Sequence, residues 1–551
     1  MSVEKLIVDH METWTSALQT RSTAGRGSSG KIDLYGIKKL RELILELAVR
    51  GKLVPQDPND EPASDLLKRI AAEKAELVKQ GKIKKQKPLP EISEEEKPFE
   101  LPEGWEWVHL PDIYCSISES SRKIKSSEIL PEGKYPVIEQ SQEFISGYCN
   151  NECLLIKLNN PVIVFGDHTR NIKFIDFDFV VGADGVKILS PILICERFFF
   201  WQLRSFKLDV RGYARHFKVL NSCLFALPPI AEQERIVEKV SSLMSLCDQL
   251  EQQSLTSLDA HQQLVETLLG TLTDSQNTAE LAENWARISE HFDTLFTTEA
   301  SVDALKQTIL QLAVMGKLVP QDPNDEPASE LLKRIAQEKA QLVKEGKIQK
   351  PLPPISDEEK PFELPEGWEW CRIGNIVNIK SELVSPKDYL NLYQVAPDII
   401  EKGTGRVISK RTVKESGVKG PNSRFYKGQI VYSKIRPSLS KVFLAEYNGL
   451  CSADMYPLDC YINPNYLLKY ILSIPFLMQV KKAENRIKMP KLNSDSFYNI
   501  IVAIPPYNEQ QAIFDKINSI EAVCNGLISY IGIYHKTQLH LADALTDAAI
   551  N

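Results

Sequence analysis

A stretch of 37 residues occurs twice in this chain with only five changes, so the chain must build the same structural unit twice. Residues 47–83, LAVRGKLVPQDPNDEPASDLLKRIAAEKAELVKQGKI, return at 312–348 as LAVMGKLVPQDPNDEPASELLKRIAQEKAQLVKEGKI. The differences are Arg50/Met315, Asp65/Glu330, Ala72/Gln337, Glu76/Gln341 and Gln80/Glu345. After a two-residue offset the match resumes through PFELPEGWEW, where Trp105 and Trp107 answer Trp368 and Trp370. A second, more diverged repeat sets LPPIAEQERIVEKVSSLMSLCDQL from Leu227 against IPPYNEQQAIFDKINSIEAVCNGL from Ile504.

These repeats read as helices. Ile236, Val240, Leu243, Cys247 and Leu250 align with Ile513, Ile517, Ile520, Cys524 and Leu527 at a 4-3-4-3 spacing that lays one apolar seam along a helix. Leu264 and Leu268, matched by Leu541 and Leu545, are expected to continue it. Pro229 and Pro506 precede acidic first turns, as helix starts do. Leu40, Ile44 and Leu47, with Leu305, Ile309 and Leu312, predict an earlier helix in each half. QDPNDEPAS then breaks the pattern, Ser64 and Ser329 are the expected N-caps of the next helix, and Gly81 and Gly346 its ends.

Matching seams predict pairing of the helix from Pro229 with the one after Ser301, and of the C-terminal helix with the N-terminal one. Helices of ~40 residues would each be ~60 Å long. The expected fold class is therefore α+β and multidomain. Two globular α/β domains are joined by two pairs of long antiparallel helices, a coiled-coil spacer in a pseudo-twofold circular arrangement. The expected layout is a variable N-terminal arm (1–30), a conserved helical region (31–104), a first variable domain (105–228), a central helical region (229–367), a second variable domain (368–505) and a C-terminal helix (506–551).

Composition narrows the function. With 43% hydrophobic and 25% charged residues, the chain can bury several cores. No apolar run reaches the ~18 residues that span a bilayer, so a cytoplasmic protein without membrane contact is expected. The ten cysteines are scattered, and Cys149 and Cys153 have no second ligand pair, so no metal site is expected. Net charge is −7, but residues 372–504 carry 20 basic against 10 acidic side chains and residues 114–228 carry 14 against 12, which leaves the scaffold at −19. An acidic scaffold with two basic-to-neutral inserts fits nucleic-acid contact confined to the inserts.

In the first insert, VIVFGDHTRNIKFIDFDFVVGADGVKIL reads as strands around a loop at Gly166–Asn171. His168, Thr169, Arg170, Asn171 and Lys173 on or beside that loop are of the types that read base edges or hold phosphates, as are Arg211, Tyr213, Arg215, His216 and Lys218. In the second insert the candidates are Ser433, Lys434, Arg436 and Lys441 beside the strand-like GQIVYSK, and Arg486, Lys488 and Lys491. GRGSSGK at 25–31 lacks the following Ser/Thr and the preceding strand of a phosphate loop. No catalytic constellation is found, so a non-catalytic chain is expected.

Two dissimilar segments, each closed by a PP-x-x-EQ helix start and separated by repeated helical regions, resemble the specificity subunits of type I restriction-modification systems. GKLVPQDPNDEPAS and LPEGWEW, each present twice, are similar to the subset with long repeats called type IB. The resemblance begins near residue 31 and leaves residues 1–30 outside it. It implies two target-recognition domains that each read one half of a split double-stranded DNA site, with a helical spacer docking two methyltransferase subunits. It also implies two motor-nuclease restriction subunits. S-adenosylmethionine, ATP and magnesium would sit on those partners, with no cofactor in this chain. A modification-only or phage-defence methyltransferase assembly, and a coiled-coil scaffold that binds no DNA, remain alternatives.

Overall fold

In the computed structural model, residues 3–21, 31–85, 87–117, 122–182, 185–208, 215–344, 352, 354–484 and 490–550 are described. Helix α1 (Tyr35–Val49) buries Leu40, Ile44 and Leu47, the three residues whose spacing predicts it. It stops because Gly51 adopts φ +66°, which lets the Lys52 N–H donate back to Leu47 O at 2.9 Å. Helix α2 (Ala63–Lys79) starts after Pro62, and the expected cap Ser64 lies inside its first turn. The reason is tertiary: Ala63 N–H donates to Gly104 O at 2.9 Å, so the far end of the repeat satisfies an amide that a hydroxyl cap would otherwise serve. The helix ends as expected, at Gly81 with φ +68°.

The first insert then runs through β1 (Glu106–His109), β2 (Tyr114–Ile117), β3 (Tyr135–Ile138), β4 (Gly147–Cys149), β5 (Leu155–Ile156), β6 (Val162–Gly166), β7 (Ile172–Ile175), β8 (Phe179–Val181), β9 (Val186–Pro191), helix α3 (Glu196–Ser205) and β10 (Leu224–Leu227). The strands form sheets in the orders β2-β9-β6-β7 and β4-β3-β8-β5, and β10 pairs with β1. Helix α4 (Ile230–Asp274) leads out of it.

The second half repeats the plan with α5 (Glu299–Val314), α6 (Ala328–Lys344), β11 (Glu369–Arg372), β12 (Val377–Ile379), β13 (Glu382–Val384), β14 (Tyr393–Val395), β15 (Asn422–Phe425), β16 (Ile430–Ser433), β17 (Val442–Leu444), β18 (Gly449–Ser452), β19 (Met455–Cys460), α7 (Pro464–Ile471), α8 (Ile474–Ala483), β20 (Ile501–Ile504) and α9 (Tyr507–Ile550). Its sheets are β12-β19-β16-β17 and β13-β15-β18-β14, with β11 paired to β20. The two inserts therefore share a topology that their sequences do not reveal. In both, the second sheet has one parallel pair, β3/β8 and β14/β18, beside antiparallel neighbours. They differ in its fourth strand, which flanks β3 in the first insert and β15 in the second.

By its contacts the chain divides into two units, residues 1–257 with 534–551 and residues 258–533. Helices α4 and α9 have 45 and 44 residues, about 66 Å each at 1.5 Å per residue, and each begins in one unit and ends in the other. In the first unit α1 meets both: Arg41 pairs with Asp248 (2.7 Å) and Glu251 (2.6 Å) midway along α4, and Tyr35 Oη donates to Asp543 at 2.7 Å near the end of α9. In the second unit Leu305 and Ile309 of α5 share one hydrophobic core with Val265, Leu269 and Leu272 of α4 and with Ile513 and Ile517 of α9. The expected pairs form, and each short helix gains a second long partner. Those short helices have 15 and 16 residues rather than ~40, because the Gly-and-Pro-rich stretch after them breaks the helix.

The apolar seam holds through Leu250 but then turns. Leu264 is 51% exposed while Val265 is buried, and Leu541 is exposed while Ala542 is buried. A new helix partner, not a fixed heptad, sets the buried stripe there. The N-terminal arm is also packed: Trp14 is fully buried, and a Cβ at Gly36 of α1 would stand 2.3 Å from Trp14 O. GRGSSGK falls, except for its last residue, outside the described residues. Among the described residues no helix is long and apolar enough to cross a membrane.

The repeated residues meet at a joint that is built twice. Trp105 Nε1 and Gln56 Nε2 donate to the two carboxylate oxygens of Glu232 at 2.9 and 3.1 Å. Trp368 and Gln321 do the same to Glu509 at 3.0 and 3.2 Å. The next residue of each PP-x-x-EQ motif holds the insert itself: Gln233 Oε1 accepts Cys195 N–H at the start of α3, and Gln510 Oε1 accepts Asn463 N–H at the start of α7, both at 2.9 Å. Burial raises the carboxyl pKa of Glu232 and Glu509 against the lowering effect of these hydrogen bonds.

A lysine of the repeated helix completes each joint. Lys74 Nζ donates to Pro111 O at 2.7 Å, and Lys339 Nζ to Gly374 O (2.6 Å) and Val377 O (2.9 Å). Burial pushes Lys339 down to about 8. A lowered folded-state pKa means that the native state holds fewer protons than the unfolded one between about pH 8 and the ordinary lysine value. The thermal midpoint of the second unit is therefore expected to gain from this residue as pH rises through that window. Lys339→Met should flatten the profile, and an identical profile in the variant would contradict the assignment.

Candidate nucleic-acid interface

Strand β6 is buried along its whole length, so the loop after it emerges from the middle of a sheet. Gly166 N–H donates to Asn171 O and Arg170 N–H to Gly166 O, both at 2.8 Å, which closes a tight tip with Arg170 at φ 61°. Thr169 Oγ1 and Asn171 Nδ2 both donate to Gln140 O, the latter at 2.9 Å, and His168 N–H donates to Gln140 Oε1 at 3.2 Å. The tip of the first sheet is thereby joined to the loop that leaves β3 of the second.

Lys173 reinforces the join from inside. It is buried, and its ammonium donates to Glu139 O (2.8 Å), Glu143 O and Phe144 O (3.4 Å), while burial lowers its pKa. His216 is buried as well. Its N–H donates to Asp167 O at 2.9 Å, and its Nδ1 lies 3.0 Å from the same oxygen, which can only accept, so Nδ1 carries the proton. Phe217 N–H caps the Asp167 carboxylate at 2.8 Å. Lys173 and His216 thus support the tip from below, whereas Arg215 and Lys218 beside them are exposed. Arg170 Nη1 donates to Leu208 O at 2.7 Å, at the border of residues 209–214. Arg211 and Tyr213 lie outside the described residues.

The second insert makes the same join with different residues. Ser433 ends β16 as Gly166 ends β6, and its N–H donates to Lys441 O at 2.9 Å. Lys441 holds the ladder position of Asn171, and its Nζ donates to Pro397 O, the second residue after β14, as Asn171 donates to the second residue after β3. A left-handed residue precedes each, Ser440 at φ 45° and Arg170 at φ 61°. Ser433 is buried with its hydroxyl on Ile435 O at 3.0 Å, so Ser433 and Lys441 are parts of the frame.

The second tip is longer, and its extra length carries Arg436, exposed and left-handed at φ 46°. Lys434 Nζ lies 5.3 Å over the Tyr456 ring, and Lys491 Nζ lies 3.2 Å from Asp454. Arg486 and Lys488 lie outside the described residues. Among these candidates Arg215, Lys218, Arg436 and Lys491 are exposed, while His168, Arg170 and Lys434 are half-buried. On a stiff hairpin tip, such groups suit base-edge and phosphate contact.

Sequence reasoning missed Gln140 and Phe144. Gln140 gathers three residues of the first tip, and Phe144, 49% exposed, rides on the carbonyl that Lys173 holds. The signal for Phe144 was present, a lone aromatic in the polar stretch EQSQEFIS, but only the fold brings it beside Lys173 and Phe177.

Comparison with known proteins matches residues 102–260 and 365–531 to the type I restriction modification DNA specificity domain. Each match starts just before the joint tryptophan and extends past the joint glutamate. The chain is 51% identical to the type I restriction enzyme EcoAI specificity subunit of Escherichia coli and 48% identical to the EcoEI specificity subunit of the same organism, over the full length of both chains in each case. Those alignments include residues 1–30, which the sequence motifs left outside the resemblance. A crystal structure of the HsdS subunit from Thermoanaerobacter tengcongensis is 16% identical, covering 82% of this chain and 98% of that one, with a TM-score of 0.37.

Proposed function

The chain belongs to the type I restriction-modification DNA specificity family, and from that premise we propose that its two inserts each read one half of a split, asymmetric DNA site on behalf of partner subunits. It is a non-catalytic specificity subunit with two target-recognition domains. The observation that carries the split-site reading is that two inserts with one first-sheet topology and second sheets that differ only in an edge strand, on one duplicated joint, end in tips of different length and chemistry. Equal frames with unequal tips serve two different short sequences better than one sequence read twice.

The duplicated scaffold offers the same surface twice, which suits two copies of a methyltransferase subunit, with two motor-nuclease subunits joined through them. Those partners would bring S-adenosylmethionine, ATP and magnesium, and this chain would bring none. DNA affinity would come from outward cations on the inserts, since the scaffold is acidic. Mapping of methylated adenines in cells that hold this chain and its methyltransferase partner tests the reading.

A further inference from the structure

The two joins described above lead into very different loops. After β3 the first insert has the short stretch 139–146, with two acidic and no basic residues. After β14 the second insert has a long excursion, 396–421, with six basic residues against three acidic ones. It is an ordered excursion: Ile400 bridges Val407, Ile408 N–H donates to Ile399 O at 2.9 Å, and Val413 N–H to Leu392 O at 2.8 Å. Ile399, Ile400 and Val413 anchor it in the core. Gly403, at the turn of this hairpin, donates its N–H to Ser440 O at 3.4 Å, so the turn lies against the second tip.

The acids of the excursion are already engaged. Asp398 pairs with Arg411 at 3.1 Å, Glu401 with Arg406 at 2.9 Å, and Glu415 caps Thr412 N–H at 2.7 Å. Lys402, Arg406, Lys410, Lys414 and Lys419 all remain exposed. The Lys410 ammonium stands 5.4 Å from the Tyr447 ring and 6.0 Å from that of Tyr393, two rings in edge contact at 5.0 Å. A strongly basic arm beside a tip that carries Arg436 and Lys434 is complementary to a polyanion, and among the described residues Lys402, Lys410, Lys414 and Lys419 form no ion pair.

We propose that residues 396–421 form a phosphate-backbone arm of the second domain, gripping duplex DNA next to the bases read by the 434–440 tip, whereas the corresponding stretch of the first domain, 139–146, has no basic residue. This rests on the DNA-reading function proposed above. Each phosphate that is no longer neutralised lowers the slope of log affinity against log salt by about 0.9, and phosphate contacts carry no base information. The test uses the full complex with the methyltransferase subunit and a duplex that contains its site. Reversing Lys402, Arg406 and Lys410 to glutamate should weaken binding at least about tenfold at moderate salt and lower the slope by about 2 to 3.

The neutral variant, with glutamine at all three positions, should give a smaller loss of affinity with a similar fall in slope. Both should melt like the wild type, and the methylated sequence should not change. An unchanged slope while the wild type binds normally would overturn the arm alone. A change in the bases of the methylated site would assign these residues to base reading and overturn it too. A wild-type complex with no salt-dependent binding would overturn both the arm and the function on which it rests.

Discussion

Glu509→Ala is expected to destabilise the attachment of the second domain by about 3 kcal/mol, and Glu232→Ala that of the first by a similar amount. Each carboxylate is the sole described acceptor for its tryptophan Nε1, and it also receives a glutamine amide. Removal of the acceptor leaves a buried indole N–H without a partner, at about 1–3 kcal/mol, and opens a cavity where the side chain stood. A partly buried carboxylate also carries a desolvation cost, and the raised pKa records it.

The sign of the pH effect follows from that raised value. Such a group stabilises most below its ordinary value of 4.5 and loses that contribution as pH rises through its folded-state pKa. The gap between wild type and alanine variant should therefore widen as the pH is lowered toward 4.5. Hydrogen exchange of the β11/β20 and β1/β10 amides, with thermal melting, measures it. A variant within about 0.5 kcal/mol of the wild type would contradict the joint.

Exchange of residues 105–228 for the corresponding segment of another family member is expected to change one half of the recognised DNA site completely and leave the other half untouched. The geometry favours a clean exchange. The insert enters on β1 and leaves on β10, and these pair antiparallel from Glu106/Leu227 to His109/Leu224, so both junctions lie side by side. The incoming segment must supply the joint tryptophan at position 105, and its acceptor Glu232 stays just beyond the exit. Residues 166–171 and 139–146, with Arg170 and Phe144, travel together, because Gln140 and Lys173 tie them into one element. The readout is the methylated sequence before and after exchange, and a change in both halves would refute independent reading.

The scaffold was legible because a repeat is a comparison that the chain makes with itself. Periodicity located α1, α5, α4 and α9, and the PP-x-x-EQ motif located two helix starts. It did not reveal that Glu232 and Glu509 each close on a tryptophan more than a hundred residues away, a contact that only tertiary structure makes. Ser64 failed as a cap because a distant carbonyl, Gly104 O, meets the helix start first. Leu264 failed as a seam residue because α4 changes partners along its length.

The tips were half legible. Polar residues after an apolar run marked both loops, but residue type cannot say which way a side chain turns. Lys173 and His216 have the chemistry of DNA contact and face the interior, where they hold main-chain atoms. Asn171 and Lys441 share one position and one task despite unlike side chains, so no comparison of the inserts by sequence could have matched them. The excursion at 396–421 showed only as net charge, and its placement against the second tip needed the fold.

On the function proposed above, one chain reads two different half-sites at a fixed spacing. Single-molecule sequencing of methylated adenines in cells that co-express this chain with its methyltransferase partner, compared with cells that lack this chain, tests it directly. One methylated motif made of two dissimilar short elements separated by a spacer of constant length is expected. A continuous or palindromic motif, a spacer of variable length, or methylation that does not depend on this chain would contradict it.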